Sequence, residues 1–281
     1  QAHGNIMRMQ IIANLLNVVL DLLFVYVLDM GIAGVAWASV IAELSITIMS
    51  LLIIQRMGML RFHLSGLEKG AFKQLISLNS NMLVRNLALQ ICLAFITYKG
   101  TAMGELVGST NAIILQFFTL IALGLDGLAY ATEALVGEAK GRKSIREISS
   151  IVKDALIWSS LFAMGYSLLF WLAGEYIIAL LTDIEALRYE VNSFLLIVVL
   201  LPVISHWCFL FDGVYIGLTN AKIMRDTMLV CMLVFFFPSW YYLSIYENWG
   251  LWLSFMIFLA LRGVTLGGHF IYMVRKQVLL N

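Results

Sequence analysis

The sequence has little proline and little charge. Only 2 of its 281 residues are proline, and charged residues make up 12% of the chain, which is about half of their share in an ordinary soluble domain. No segment rich in proline, glycine or serine divides the chain, so we expect no second, soluble domain. A net charge of +1 gives no reason to expect a nucleic-acid partner.

Cysteines and catalytic motifs are equally scarce. The three cysteines lie inside apolar runs, at spacings that fit neither a disulfide framework nor a zinc site. The sequence contains no nucleophile elbow, phosphate-binding loop, haem-attachment motif or zinc-protease helix motif. We therefore expect a protein that is not an enzyme, has no cofactor or metal site and contains no ATPase machinery.

Apolar residues dominate what is present. They make up 62% of the chain, the mean hydropathy is +0.92, and eight runs are long enough to cross a bilayer as helices. These predicted spans cover residues 9–28, 33–54, 72–97, 108–136, 154–172, 191–217, 224–245 and 250–273. The fold class predicted is an all-α polytopic membrane protein. Between the fifth and sixth spans, we expect residues 175–182 to lie along the membrane surface as a short amphipathic helix.

Lysine and arginine collect in alternate loops, such as those of Arg61, Lys143 and Lys222, whereas the opposite loops carry acids such as Glu185. Because cytoplasmic loops are enriched in Lys and Arg, the first set is predicted to be cytoplasmic. The longest cytoplasmic loop covers residues 56–70. It is the expected hinge between two bundles, with two helices before it and six after it.

A polar stripe runs along the first span. Gln10, Asn14, Asn17 and Asp21 fall within an arc of ~60° at about 100° per residue. Glu43 adds a second acid on the next span, and neither span carries a lysine or arginine. Unpaired acids inside a membrane are candidates for binding a proton or a cation. The alternative is a stripe that only joins helices by hydrogen bonds.

A second set of intramembrane charges follows the hinge. Asp126 and Asp212 each precede a glycine at a similar depth, and Arg85 and Arg262 can balance their charges. Tyr130 lies one helical turn after Asp126, on the same face. Paired charges favour a structural packing network of these residues, and the lining of a substrate cavity is the alternative.

Four segments carry a family resemblance. Residues 125–141, LDGLAYATEALVGEAKG, closely resemble a signature of the multidrug and toxic compound extrusion (MATE) family, in its DinF branch. Residues 16–21, 211–217 and 260–267 also resemble the family, in its order and spacing. The family has twelve helices in two six-helix lobes, and this chain resembles helices five to twelve. The resemblance implies that residues 1–55 are the last two helices of the N-lobe, that 56–70 form the cytoplasmic inter-lobe loop, and that 71–281 form the C-lobe bundle.

The resemblance also implies a function. Members of the family exchange protons or sodium for amphipathic and cationic drugs, and Asn17 and Asp21 match the fifth-helix pair of proton-coupled members. Sodium-coupled relatives use a glutamate on the seventh helix, but the third span here has no acid. We therefore expect a monomeric, proton-coupled drug exporter in a bacterial inner membrane. A sodium-coupled exporter, an exporter or flippase of a lipid-linked intermediate, and a non-transporting membrane scaffold remain alternatives.

Overall fold

The computed structural model describes residues 2–56, 69–277 and 279. This part of the chain is almost entirely helical and contains no strand. It includes seven continuous helical stretches long and apolar enough to cross a membrane. The prediction of an all-α, multi-span membrane protein is confirmed.

The helices group into two compact units, Gln1–Lys69 and Gly70–Asn281. Most of the predicted loop at 56–70 lies outside the described residues. The first unit is a hairpin of α1 (Ala2–Leu22), which continues into a π-helical turn (Leu23–Val27), and α2 (Gly31–Arg56). Asp29 and Gly31, both with a φ of 53°, form the tight turn between them.

Small residues let the two helices of the hairpin approach closely. Gly34, Ala38 and Ala42 recur at every fourth position of α2 and are buried, as is Ala13 on α1. A Cβ atom at Gly34 would lie 2.9 Å from Cβ of Phe24. This is the spacing of small residues that drives close helix packing in membranes, where apolar burial alone gives no preference for protein over lipid.

The second unit contains the remaining helices. They are α3 (Lys69–Met103), α4 (Glu105–Gly141), α5 (Ile145–Leu181), α6 (Glu185–Ser193), α7 (Leu195–Gly217), α8 (Ala221–Val230), α9 (Phe237–Leu243) and α10 (Glu247–Lys276). A π-helical segment, Cys231–Phe236, joins α8 to α9, and a 3₁₀ turn, Ser244–Tyr246, joins α9 to α10. Ser144 caps α5 by accepting a hydrogen bond from the N–H of Glu147 at 3.3 Å, as its Ser-x-x-Glu sequence predicts.

Helix α7 is the centre of this unit, because it packs against α4, α5 and α10 and is buried over most of its length. Aromatic rings fill the space around it. Phe117 of α4 meets Phe170 of α5 edge to face at 5.1 Å, and Phe118 meets Phe255 of α10 at 5.2 Å. At the end of α7, Lys140 donates to the carbonyl of Leu218 at 2.6 Å, where a cation complements the negative end of the helix dipole.

The last of the seven stretches, Ala221–Lys276, has 56 residues. A straight helix of that length would reach ~84 Å, far more than the ~30 Å of a bilayer core. The chain instead turns at the 3₁₀ segment and at Glu247, whose φ is 49°, and α10 packs back against α8 and α9. The stretch therefore contains two of the eight predicted spans.

Two local predictions are wrong. Residues 175–182 do not form a separate surface helix, because α5 runs without a break to Leu181. The short helix at this end is α6, whose first residues, from Glu185, are exposed. The predicted sixth span, 191–217, includes the last three residues of α6, whereas the buried helix α7 begins at Leu195. Within the continuous helix, Gly174 makes room for Leu195, whose Cδ1 would lie 2.5 Å from an added Cβ.

Candidate functional site

In the first unit, Asn17 and Asp21 lie one helical turn apart on α1. With its amide oriented so that both side-chain atoms have partners, Asn17 Nδ2 donates to Asp21 Oδ2 at 3.0 Å. Asn17 Oδ1 then accepts from the backbone N–H of Ser39 on α2 at 3.2 Å. The amide thus holds the carboxyl from one side and is itself held by the neighbouring helix.

The other oxygen of this carboxyl is different. Asp21 Oδ1 is shielded from solvent and has no hydrogen-bond partner among the described residues. A buried acceptor without a partner is costly while it is charged, and protonation removes that charge. The π-helical turn Leu23–Val27 begins two residues later, and such turns within helices often occur at functional sites.

The other three predicted residues of the first unit, Gln10, Asn14 and Glu43, are exposed. Asn14 lies one turn before Asn17, on the same face of α1. Glu43 lies farther from the carboxyl, since the contact between Asn17 and Ser39 sets the register of the antiparallel pair. By that register, Glu43 and Asp21 are separated by roughly 12 Å along the helix axes. The structure therefore brings Asn17 to Asp21 but does not bring Glu43 to it.

In the second unit, a cavity of about 580 Å³ opens between α3, α4 and α7. Two glycines of α7 bring it close to α4. A Cβ at Gly213 would collide with the backbone oxygen of Ala129, and one at Gly217 would lie 2.6 Å from the oxygen of Glu133. The charged C-lobe cavity, as we name it, is lined by Met82, Arg85, Asn86, Leu89, Leu93, Phe118, Thr119, Ala122, Asp126, Ala129, Tyr130, Glu133, Phe209, Asp212, Gly213 and Ile216.

Asp212 lies between two arginines. Its Oδ2 accepts hydrogen bonds from Arg85 of α3, at the cavity wall, and from Arg262 of α10, which is behind the wall and 2% exposed. Both pairs are salt bridges. The Nε atoms of the two arginines and Asp212 Oδ1 have no partner among the described residues. This trio therefore carries two positive charges against one negative charge.

Asp126 does not hydrogen-bond to the trio in the described part of the chain, although the sequence favours a network that includes it. It lies on α4 with Tyr130 and Glu133, at a spacing that puts all three on one helical face, and all three line the cavity. The cavity thus has two carboxylates on the α4 side and Arg85 on the α3 side. Its aromatic and sulfur-containing lining includes Tyr130, Phe118 and Met82.

Four of the five residues predicted for this region line one cavity, and the fifth, Arg262, supports it through Asp212. Ser39 is not predicted from the sequence, since nothing in an apolar helix shows which residue faces a neighbouring helix. Phe118 and Phe209, which line the cavity beside the predicted Tyr130, are also not predicted, because such rings cannot be distinguished in sequence from core or lipid-facing residues. Within residues 2–56, 69–277 and 279, no three His, Cys, Asp or Glu side chains are grouped so as to hold a metal ion.

A family model described as MatE matches residues 82–241. The DNA damage-inducible protein F of Escherichia coli (strain K12) is 37% identical over 261 residues, which is 91% of this chain and 56% of that protein. Protein DETOXIFICATION 43 of Arabidopsis thaliana is 22% identical over 91% of this chain and 48% of its own length. The chain thus spans about half the length of these curated relatives.

Solved structures show the same fold. The Vibrio cholerae MATE transporter VcmN in its bent form superposes with a TM-score of 0.84 at 19% identity, over 97% of this chain and 63% of that one. A transporter of the MOP superfamily from Pyrococcus furiosus superposes with a TM-score of 0.79 at 17% identity, over 94% of this chain and 61% of that one. At these identities the similarity describes the fold alone.

Proposed function

Because the chain belongs to the multidrug and toxic compound extrusion family, we propose that it acts in a secondary active antiporter that exports amphipathic and cationic drugs in exchange for protons. Members of the family are transporters rather than enzymes. In this proposal, Gln1–Lys69 contributes the end of the N-lobe and Gly70–Asn281 forms the C-lobe. The transporter is a monomer in a bacterial inner membrane.

The observation that supports proton coupling is the environment of Asp21. Ionising a carboxyl inside the hydrocarbon region is unfavourable, and one oxygen of Asp21 has no partner among the described residues. The amide of Asn17, which offers a donor and an acceptor, can serve either protonation state. A proton taken up from outside and released inside would then favour a different helix packing in each state, which is what coupling requires.

The charged C-lobe cavity supports the choice of substrate. Its volume of about 580 Å³ is in the range of pockets for drug-sized ligands. Asp126 and Glu133 can attract a cationic group, and Tyr130 can stabilise it further through its ring. Met82 adds an adaptable apolar contact, which suits ligands of varied shape. A cationic amphipathic molecule fits this combination.

Two alternatives, one for the coupling ion and one for the substrate, can be tested. Sodium coupling is favoured by the same two carboxylates of α4, since oxygen ligands suit hard cations. Export of an anionic, lipid-linked intermediate would need a mainly cationic cavity. The described lining contains three acids, Asp126, Glu133 and Asp212, against one base, Arg85, which disfavours that alternative.

The test is drug transport in proteoliposomes that contain the transporter, with one ion gradient imposed at a time. We expect a proton gradient without sodium to drive export of a cationic dye, and a sodium gradient at equal pH on both sides to drive none. Liposomes without protein control for passive redistribution of the dye. Export driven by sodium alone would replace proton coupling with the sodium alternative.

A further inference from the structure

A second concavity in the Gly70–Asn281 unit lies apart from the charged C-lobe cavity. It is a groove of about 440 Å³ with α5 on one side, α10 on the other and α7 as its floor. Helix α7 presents Trp207 and Phe211 to this groove, whereas it presents Asp212 and Gly213 to the charged C-lobe cavity. We name it the α5–α10 groove.

The walls of the α5–α10 groove are apolar. Val152 and Leu156 line it from α5, and Val264 and Ile271 line it from α10. Val264 is 61% exposed and Ile271 is 52% exposed. Because both helices are spans of a membrane protein, exposed apolar side chains at this depth contact hydrocarbon rather than water.

Glycines on α10 determine the depth of the α5–α10 groove. Gly267 packs directly on Phe211, since an added Cβ would lie 2.9 Å from a ring carbon. Gly268, the next residue, also lines the groove, but an added Cβ there would meet nothing within 4 Å. A side chain at Gly268 would therefore extend into empty space, and the groove exists partly because none is present.

The polar entrance of the groove is on α5. Lys153 and Ser149 line it, and Arg146 lies on the same face of the helix, two turns before Lys153. Neither Lys153 nor Arg146 forms an ion pair within the described residues. The two neighbouring acids, Glu147 and Asp154, do not line the groove. Glu147 forms a salt bridge with Arg142, and Asp154 is turned by about 100° around the helix from Lys153. The entrance is therefore positively charged and carries a hydroxyl group.

This entrance lies at the level of the membrane surface. The fifth predicted span begins at residue 154, and the Lys and Arg distribution predicts that this end is cytoplasmic. Lysine side chains at such positions extend towards the headgroups, and anionic lipids of the cytoplasmic leaflet attract basic side chains.

We propose that the α5–α10 groove binds an anionic phospholipid of the cytoplasmic leaflet. One acyl chain lies in the apolar groove, and the phosphate is held by Lys153, Ser149 and Arg146. A soluble phosphate would match the entrance but not the groove, and an uncharged lipid would match the groove but not the entrance. The site does not depend on which ion the transporter couples.

The test uses the transporter in detergent, titrated with defined lipids. Native mass spectrometry gives the apparent lipid affinity, and thermal unfolding gives the melting temperature. Phosphatidylglycerol is compared with phosphatidylcholine of the same acyl chains and with soluble glycerol phosphate. We expect phosphatidylglycerol to bind at least ten-fold more tightly than phosphatidylcholine and to raise the melting temperature further. We expect glycerol phosphate to have no effect.

Two variants examine the two halves of the site. Lys153→Gln should remove the preference for phosphatidylglycerol, whereas Lys222→Gln, at an exposed lysine of α8 on the same predicted side, should keep it. Gly268→Leu should fill the groove and weaken both lipids. Its control is Gly165→Leu on α5, where an added Cβ also meets nothing within 4 Å and which lies outside the groove.

Unchanged lipid affinity in both Lys153→Gln and Gly268→Leu would overturn the proposal. Equal affinity of the wild type for the two lipids, or an equal effect of glycerol phosphate, would also overturn it. If Gly268→Leu does not fold, Lys153→Gln decides the question, because the Lys153 side chain is exposed and replacing it leaves no buried cavity.

Discussion

Arg85 of α3 and Asp212 of α7 form a salt bridge at the wall of the charged C-lobe cavity, although 127 positions separate them in the chain. The same carboxylate oxygen also accepts from the buried Arg262. One acid thus balances two bases from two other helices, α3 and α10. The trio is therefore sensitive to the loss of its one negative charge.

Replacing that acid should destabilise the fold. Asp212→Asn leaves two guanidinium groups without a balancing charge in a buried place, and we expect a loss of about 3–5 kcal/mol in the free energy of unfolding. Adding Arg85→Met should restore part of that loss. The measurement is denaturant unfolding in detergent.

The control is Asp226→Asn. This substitution breaks the salt bridge between Asp226 and Arg225, in which the Asp226 side chain is 50% exposed. Exposed pairs contribute at most ~1 kcal/mol, so a small change is expected. A wild-type stability of Asp212→Asn, with transport lost, would show that the trio serves the transport cycle rather than the fold.

The close approach of α4 and α7 should not tolerate a side chain at Gly213. Gly213→Ala drives a methyl group into the backbone oxygen of Ala129, and overpacking of this kind costs about 1–3 kcal/mol. Gly165→Ala is the matched control, because nothing lies within 4 Å of its added Cβ and alanine favours helices. In thermal unfolding, Gly213→Ala should lower the melting temperature and Gly165→Ala should raise it. Equal stability of the two variants would contradict the close contact between α4 and α7.

The sequence predicts the number and order of spans well because a bilayer requires about twenty apolar residues for each crossing. It predicts the helix ends poorly. Helix α5 begins at Ile145 and ends at Leu181, well beyond the predicted span at 154–172, because a helix needs only hydrogen bonds and packing to continue past the hydrocarbon. The π-helical segments also leave no signal in the apolar pattern.

A similar contrast holds for the site residues: the sequence identifies the residues but not their contacts. Asp21, Asp212 and Arg262 can be found from sequence because ionisable groups are rare in membrane spans. Their partners cannot be found in this way. Which arginine meets Asp212, and whether Asp126 joins them, depends on helix rotation and register. Ser39 is an ordinary small residue until the hairpin places it against Asn17.

The acids of α4 should matter more for charged drugs than for neutral ones. Asp126→Asn and Glu133→Gln each remove a negative charge from the cavity lining, and we expect at least a ten-fold rise in KM for a cationic drug. Transport of a neutral amphipathic drug should change little, and Asp154→Asn, an exposed acid outside the cavity, should behave as wild type. An equal loss for both drugs would argue against direct attraction of the cation.

The membrane orientation can be tested by single cysteines placed at exposed positions. In a background without native cysteines, Lys143→Cys and Lys222→Cys should react with an impermeant thiol reagent only from the cytoplasmic side. Glu185→Cys should react only from the outside, because the loops alternate in charge. Opposite accessibility at any two positions would contradict the eight-span topology.

The most direct test of the proposed mechanism is proton release by Asp21→Asn in proteoliposomes. The amide mimics the protonated acid, so the variant should insert, fold and bind drug, but drug-driven proton movement and drug export should both be lost. Asn17→Ala should weaken transport less, because it removes a hydrogen bond but keeps the carboxyl. Export and proton flux at wild-type rates in Asp21→Asn, at equal protein content, would contradict proton coupling through Asp21. The polar stripe of α1 would then be only a contact between helices.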